Sequence, residues 1–156
     1  MTDLSLVWDR ENYRADMTVT GGDLATDAGL HTALIISLMT DRLADPHDFI
    51  PDLSTDRRGW WGDLPLASED DLPAPDFIGS RLWLLAREKQ LPETARRAEF
   101  YAREALQWML DDDVAVRIDA VATFPRLGWI ELRITIWQGF GAMSASTTFD
   151  VMWQQS

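Results

Sequence analysis

Cysteine is absent from the 156 residues. That excludes a disulfide framework, a thiolate metal site and a thiol nucleophile. Lysine is nearly absent: of 14 basic residues only Lys89 is a lysine. Against 26 acids this leaves a net charge of −12. Such a balance argues against binding nucleic acid, where phosphates must be neutralised by a basic surface, and against an anionic membrane. The two histidines, His31 and His47, leave little for a catalytic or metal constellation. His47 lies among Asp45, Asp48 and Asp52, and reads as part of a solvated loop rather than a metal site. No apolar run is long enough to span a bilayer, and no basic stretch precedes an apolar core at the N-terminus. The sequence therefore predicts a soluble chain made in a cytoplasm, with no cofactor.

Apolar content is ample. Eight tryptophans and a 46% hydrophobic fraction suit one domain with a real core, spanning 1–156. The charge is uneven. Residues 1–80 carry 16 acids against 5 bases, whereas 81–156 carry 10 against 9. An acidic first half serves solubility, or docks a basic partner.

The pattern predicts an α+β fold. Leu4, Leu6 and Trp8 alternate with polar neighbours, and Met17 and Val19 follow before Gly21-Gly22, as in an N-terminal β-hairpin. Leu30, Ala33, Leu34, Leu38 and Met39 share a face of a helix expected over about 27–43. Residues 45–76 hold five of the seven prolines and nine acids, and read as a long irregular loop anchored by Phe49, Ile50, Trp60, Trp61 and Leu64. A short helix is expected over 81–89. A longer one is expected over 92–110, with Pro92 at its first position and Glu93–Arg97 and Glu99–Arg103 as exposed pairs. Ala95, Ala98, Ala102, Ala105 and Met109 form its buried stripe. Strict alternation then marks strands at Val114–Ala122, Ile130–Ile136 and Thr147–Trp153, giving a C-terminal antiparallel three-stranded meander.

Tests for chemistry fail. Gly139-Phe140-Gly141 lacks the third glycine and the helix of a dinucleotide loop. Ser80 follows Gly79 without a nucleophile-elbow pattern. A cell-wall glycosidase would need Glu88 as acid with a partner from the 69–71 acidic cluster. Glu88 sits between Arg87 and Lys89, which should hold it ionised. The sequence therefore predicts a non-enzyme, with the glycosidase and an acidic adaptor module as alternatives.

Adhesive residues do stand out. Arg57-Arg58-Gly59-Trp60-Trp61-Gly62-Asp63 places two arginines and two tryptophans between glycines, the residue types most enriched in binding hot spots. Either these side chains meet a partner, or they pin the loop to its own domain. Gly79-Ser80-Arg81-Leu82-Trp83-Leu84-Leu85-Ala86-Arg87-Glu88-Lys89 pairs an apolar middle with charged ends. A core helix explains Leu82 and Leu85 better than it explains Arg81, Trp83 or Arg87.

These two stretches resemble the baseplate wedge proteins of Mu-like contractile-tailed phages. Ser37-Leu38-Met39-Thr40-Asp41-Arg42 precedes them in the family's order, and Glu104-Ala105-Leu106-Gln107-Trp108 follows. Together they cover about residues 25–120. Leu43 stands where a second arginine is expected, and Asp113 where a glycine is common. The resemblance implies a structural subunit of a virion tail baseplate, assembled in the host cytoplasm and present in several copies in a symmetric particle. It implies contacts with other wedge proteins, with the sheath, and with the central hub or tube. Relatives of that family offer a strand edge to the first sheath ring.

The last strand fits that expectation, since 145–153 carries no lysine or proline to protect an edge. The rival reading is an edge covered by the N-terminal hairpin. The residues assigned to partner contact are Arg57, Arg58, Trp60, Trp61, Arg81, Trp83, Arg87, Phe149, Val151 and Trp153.

Overall fold

The computed structural model describes residues 3–4, 6–9, 14–17, 19–20, 23–24, 26–27, 30–51, 54–60, 63, 77–138 and 145–154. Trp61, Leu64, the 69–71 acids and the glycine turn at 139–144 lie outside the described residues. So do the side chains of Phe149, Val151 and Trp153, and those of the N-terminal strands.

Helix and strand are mixed, as the pattern predicts. Among the described residues, the N-terminal part holds six short strands in three antiparallel pairs. β1 (Asp3–Leu4) pairs with β6 (Thr26–Asp27), β2 (Leu6–Asp9) with β3 (Arg14–Met17), and β4 (Val19–Thr20) with β5 (Asp23–Leu24).

α1 (His31–Met39) is shorter than its apolar pattern suggests. Asp27 belongs to β6, and at the other end Thr40 turns extended. Leu34, Ile35 and Leu38 are buried on it, while Ile36 faces out. Residues 82–85 form a 3₁₀ turn rather than the expected helix, with Leu84 N–H on the Arg81 carbonyl at 3.0 Å. All four side chains of Leu82–Leu85 are buried, so this tight turn is a plug in the core.

α2 (Pro92–Ala105) opens on Pro92 and Glu93 and closes on Arg103, each suited to its end of the helix dipole. Its buried stripe is Thr94, Ala98, Tyr101, Ala102 and Ala105, whose alanines let it lie against a sheet. The expected continuous helix is interrupted at Leu106, and α3 (Gln107–Asp111) sets off separately. Asp113 then takes a left-handed φ of 57°, at the position where the resemblance led us to expect glycine.

β7 (Arg117–Thr123), β8 (Trp129–Gln138) and β9 (Ala145–Gln154) form one antiparallel sheet in that order. Ile118, Ala120 and Ala122 of β7 and Ile130, Leu132, Ile134 and Ile136 of β8 point inward and are buried. α2 covers mainly β7. With Leu34, Leu38, Leu84, Leu85, Leu106 and Met109, all of these but Ile130 make one core that joins sheet, helices and the 3₁₀ plug.

Candidate functional site

The stretches that carry the family resemblance are far apart in sequence and adjacent in space. Residues 40–42 run beside 79–81 in a single parallel bridge, Asp41 with Ser80. Ser80 N–H donates to the Thr40 carbonyl at 2.9 Å, and Arg42 N–H to the Ser80 carbonyl at 3.0 Å. The Ser80 hydroxyl donates to the Leu38 carbonyl at 2.6 Å. Gly79 has φ 102°, and a Cβ there would sit 2.4 Å from the Thr40 carbonyl oxygen. No other residue fits this crossing without moving backbone. The Trp108 indole N–H closes the same unit from α3, on the Ser37 hydroxyl at 3.0 Å.

Arg81 is the centre of this unit. Only 7% of the residue is exposed. Its Nε and Nη2 grip Glu104 of α2 in a two-pronged pair at 2.9 and 2.8 Å. Its Nη1 donates to Asp45 at 2.5 Å and to Asp48 at 3.0 Å. The guanidinium also lies 4.9 Å from the centroid of the Tyr101 ring. Burial disfavours the Arg81 charge, but the hydrogen bonds and fields of Glu104 and Asp48 outweigh it, so the pKa is raised. With the folded value above the unfolded one, the stabilisation is present throughout the pH range below arginine's ordinary value. Asp45 and Asp48, read in sequence as part of a solvated loop, direct their carboxylates to this cation. Among the described residues no cluster of His, Cys, Asp or Glu is arranged to hold a metal ion.

Trp83 is likewise interior, at 8% exposed, with its indole N–H on the Arg42 carbonyl at 2.9 Å. Arg58 roofs it, 4.4 Å from the ring centroid, and pairs with Asp41 at 2.7 Å. Arg58 holds a left-handed φ of 53°, fixed by its N–H on the Asp56 carboxylate at 2.8 Å. A non-glycine residue kept in that conformation stores strain that the surrounding contacts offset. Arg57 reaches back to the Ala44 carbonyl through Nε at 3.3 Å, while its Nη2 is buried with no hydrogen-bond partner. Trp60 lies at the outer side of this loop and is exposed.

The assigned residues thus separate into two groups. Arg81 and Trp83 are supports inside the domain, held by its own carboxylates and carbonyls. Arg58, Trp60 and Arg87 reach the surface, with Arg57 half-buried between the two. Glu88, the acid a glycosidase would use, is engaged by Arg97 at 2.9 Å. Arg97 does not take up the expected pair with Glu93 and turns to Glu88 and the Tyr101 hydroxyl instead.

The sheet edges differ. On β7 the outward Ala122 N–H donates to Glu99 Oε1 at 3.1 Å, and the outward Ala120 carbonyl accepts from Arg103 Nη2 at 3.4 Å. Glu99 and Arg103 pair with each other at 3.3 Å. α2 therefore caps that edge with side chains. β9 has no second strand partner among the described residues. Its register sets Phe149, Val151 and Trp153 opposite Ile134, Leu132 and Ile130, the inward positions of β8. By the alternation of an antiparallel ladder, Thr148, Asp150 and Met152 direct their peptide groups to the open side. Asp150 pairs across to Arg133 at 2.8 Å.

Sequence reasoning missed Glu104, Asp45, Asp48 and Asp41 as partners of the arginines, and Glu99 and Arg103 as an edge cap. The available signal was that Asp41 and Glu104 lie inside stretches carrying the resemblance.

The family described as phage protein GP46 matches residues 30–143. The chain is 46% identical over 136 residues to the baseplate protein gp46 of Escherichia phage Mu, covering 87% of each chain. It is 37% identical over 136 residues to the Mu-like prophage FluMu protein gp46 of Haemophilus influenzae, again over 87% of each.

Proposed function

This chain belongs to the phage protein GP46 family, and from that premise we propose that it is a structural subunit of a virion tail baseplate. Its Mu relative, named a baseplate protein, supports that setting. In it the chain acts as a wedge piece, without catalysis, in several symmetric copies. It joins neighbouring wedge proteins through the surface around Arg57, Arg58, Trp60, Trp61 and Arg87. The β9 edge, with Phe149, Val151 and Trp153 on that strand, templates the first sheath ring by strand pairing. The hub or tube lies within reach as a further contact.

The observation that carries this reading is the asymmetry of the sheet. One edge strand is capped by Glu99 and Arg103, and the other, ten residues long, has no strand beyond it among the described residues. A long unpaired edge is a template for another chain.

The test is Met152→Pro. It removes one outward N–H from β9 while leaving the groups that face β8, and proline is tolerated at an edge strand's open side. The variant is expected to fold with unchanged circular dichroism and to fail to complement infectious particle assembly. Particles at normal titre from a folded Met152→Pro chain would contradict strand pairing at this edge.

A further inference from the structure

Arg57 is the arginine whose charge the fold leaves unmatched. Among the described residues, Arg58, Arg81, Arg97, Arg103, Arg117 and Arg133 each hold a carboxylate of this acid-rich chain. Arg57 does not. Its Nε donates to the Ala44 carbonyl at 3.3 Å, near the long end of the hydrogen-bond range. Its Nη2 is buried with no acceptor.

A guanidinium N–H removed from water without an acceptor carries the full desolvation cost of that group. An apolar side chain of similar length would fill the same space without it. Arg57 in this position therefore lowers the stability of the isolated chain. The Nε bond holds the side chain inward and the unmatched Nη2 opposes it, so inward and outward positions lie close in energy. The way out is short. Residues 54–56 and 58–60 on either side of Arg57 are exposed, and Arg57 itself is half-buried. Rotation of the side chain brings the guanidinium to that surface at the loss of one long hydrogen bond. The backbone need not follow. Ala44 N–H donates to the Arg57 carbonyl at 3.0 Å, and Arg58 is fixed next to it over the Trp83 ring.

We propose that Arg57 is a latent contact: when a neighbouring subunit docks on this loop, the guanidinium turns outward and takes a carboxylate of that subunit in a two-pronged pair. A carboxylate is the acceptor that matches both the charge and the planar fork of an arginine. Trp60, exposed three residues on, supplies an apolar neighbour for the same contact. The inference rests on the reading of this loop as a partner surface, and it names what that surface binds.

Arg57→Met keeps a side chain of similar length and removes every donor. In the purified full-length chain its urea midpoint is expected to rise by about 0.5 M, because the unmatched buried donor is gone. In a host infected by phage lacking this gene, the same variant is expected to restore infectious titre about tenfold less well than wild type, because the neighbour's carboxylate is left unpaired. An arginine that only supports its own domain would lower both readings together. An unchanged or lowered midpoint would overturn the unmatched burial of Arg57, and wild-type titre from Arg57→Met would overturn the contact. Normal titre with the chain omitted altogether would instead overturn the baseplate role, and this contact with it.

Discussion

Arg81 organises the domain from one side chain. It joins α2 through Glu104 to the loop at Asp45 and Asp48, so removing it strands carboxylates that were satisfied by a buried cation. Breaking such a pair from one side costs more than the pair itself contributes. Arg81→Ala is expected to lower stability by about 3–5 kcal/mol. Arg81→Lys keeps the charge, loses the two-pronged grip on Glu104, and is expected to cost about 1.5–3 kcal/mol. Urea unfolding midpoints check both, and equal midpoints for wild type and Arg81→Ala would refute the buried-clamp role. The importance of Arg81 and Trp83 was legible in sequence; their direction was not. An arginine beside tryptophan has the same composition whether it meets a partner or its own carboxylates. Its acidic partners lie 23 to 36 positions away, beyond any local pattern.

At the scale of elements, local periods carried well and long-range capping did not. The alternation of Ile130, Leu132, Ile134 and Ile136 is a period-2 signal confined to one strand, and all four are fully buried. The stripe on α2 was legible at Ala98, Ala102 and Ala105, whereas Ala95 is half-buried, Met109 falls on α3, and the buried Thr94 and Tyr101 were not read. The 3₁₀ turn at 82–85 and the break at Leu106 were not, because both answer to core packing and to the Trp108–Ser37 contact, not to propensity. Glu99–Arg103 was read correctly as an i,i+4 pair, yet its second role on β7 needed the sheet in place. That role is testable. A Glu99→Ala, Arg103→Ala double variant leaves Ala122 N–H and the Ala120 carbonyl without their caps. It is expected to cost about 1–2 kcal/mol and to associate with rising concentration through the opened edge. Light scattering that stays monomeric, with an unchanged melting profile, would contradict edge capping by α2.

Across the whole molecule, the acid excess is partly structural. Asp41, Asp45, Asp48 and Glu104 hold Arg58 and Arg81 and thereby tie the first half of the chain to the second. Asp41, Arg58, Arg81 and Glu104 lie in the stretches that carry the resemblance, so those residues serve the scaffold. Among the described residues the scaffold displays the loop at Arg58 and Trp60, the Leu127 tip, the rim of β9, and exposed side chains such as Phe49 and Phe100. Glu88 belongs to the same pattern of internal pairing, engaged by Arg97 at 2.9 Å.

Amide hydrogen exchange along β9 tests this account most directly. In the isolated chain the outward amides of Thr148, Asp150 and Met152 should exchange much faster than the inward amides of Phe149 and Val151, which face β8. In the assembled tail they should become protected to the same degree as their inward neighbours, because a partner strand takes up their hydrogen bonds. Fast exchange at Thr148, Asp150 and Met152 that persists unchanged within the particle would contradict it.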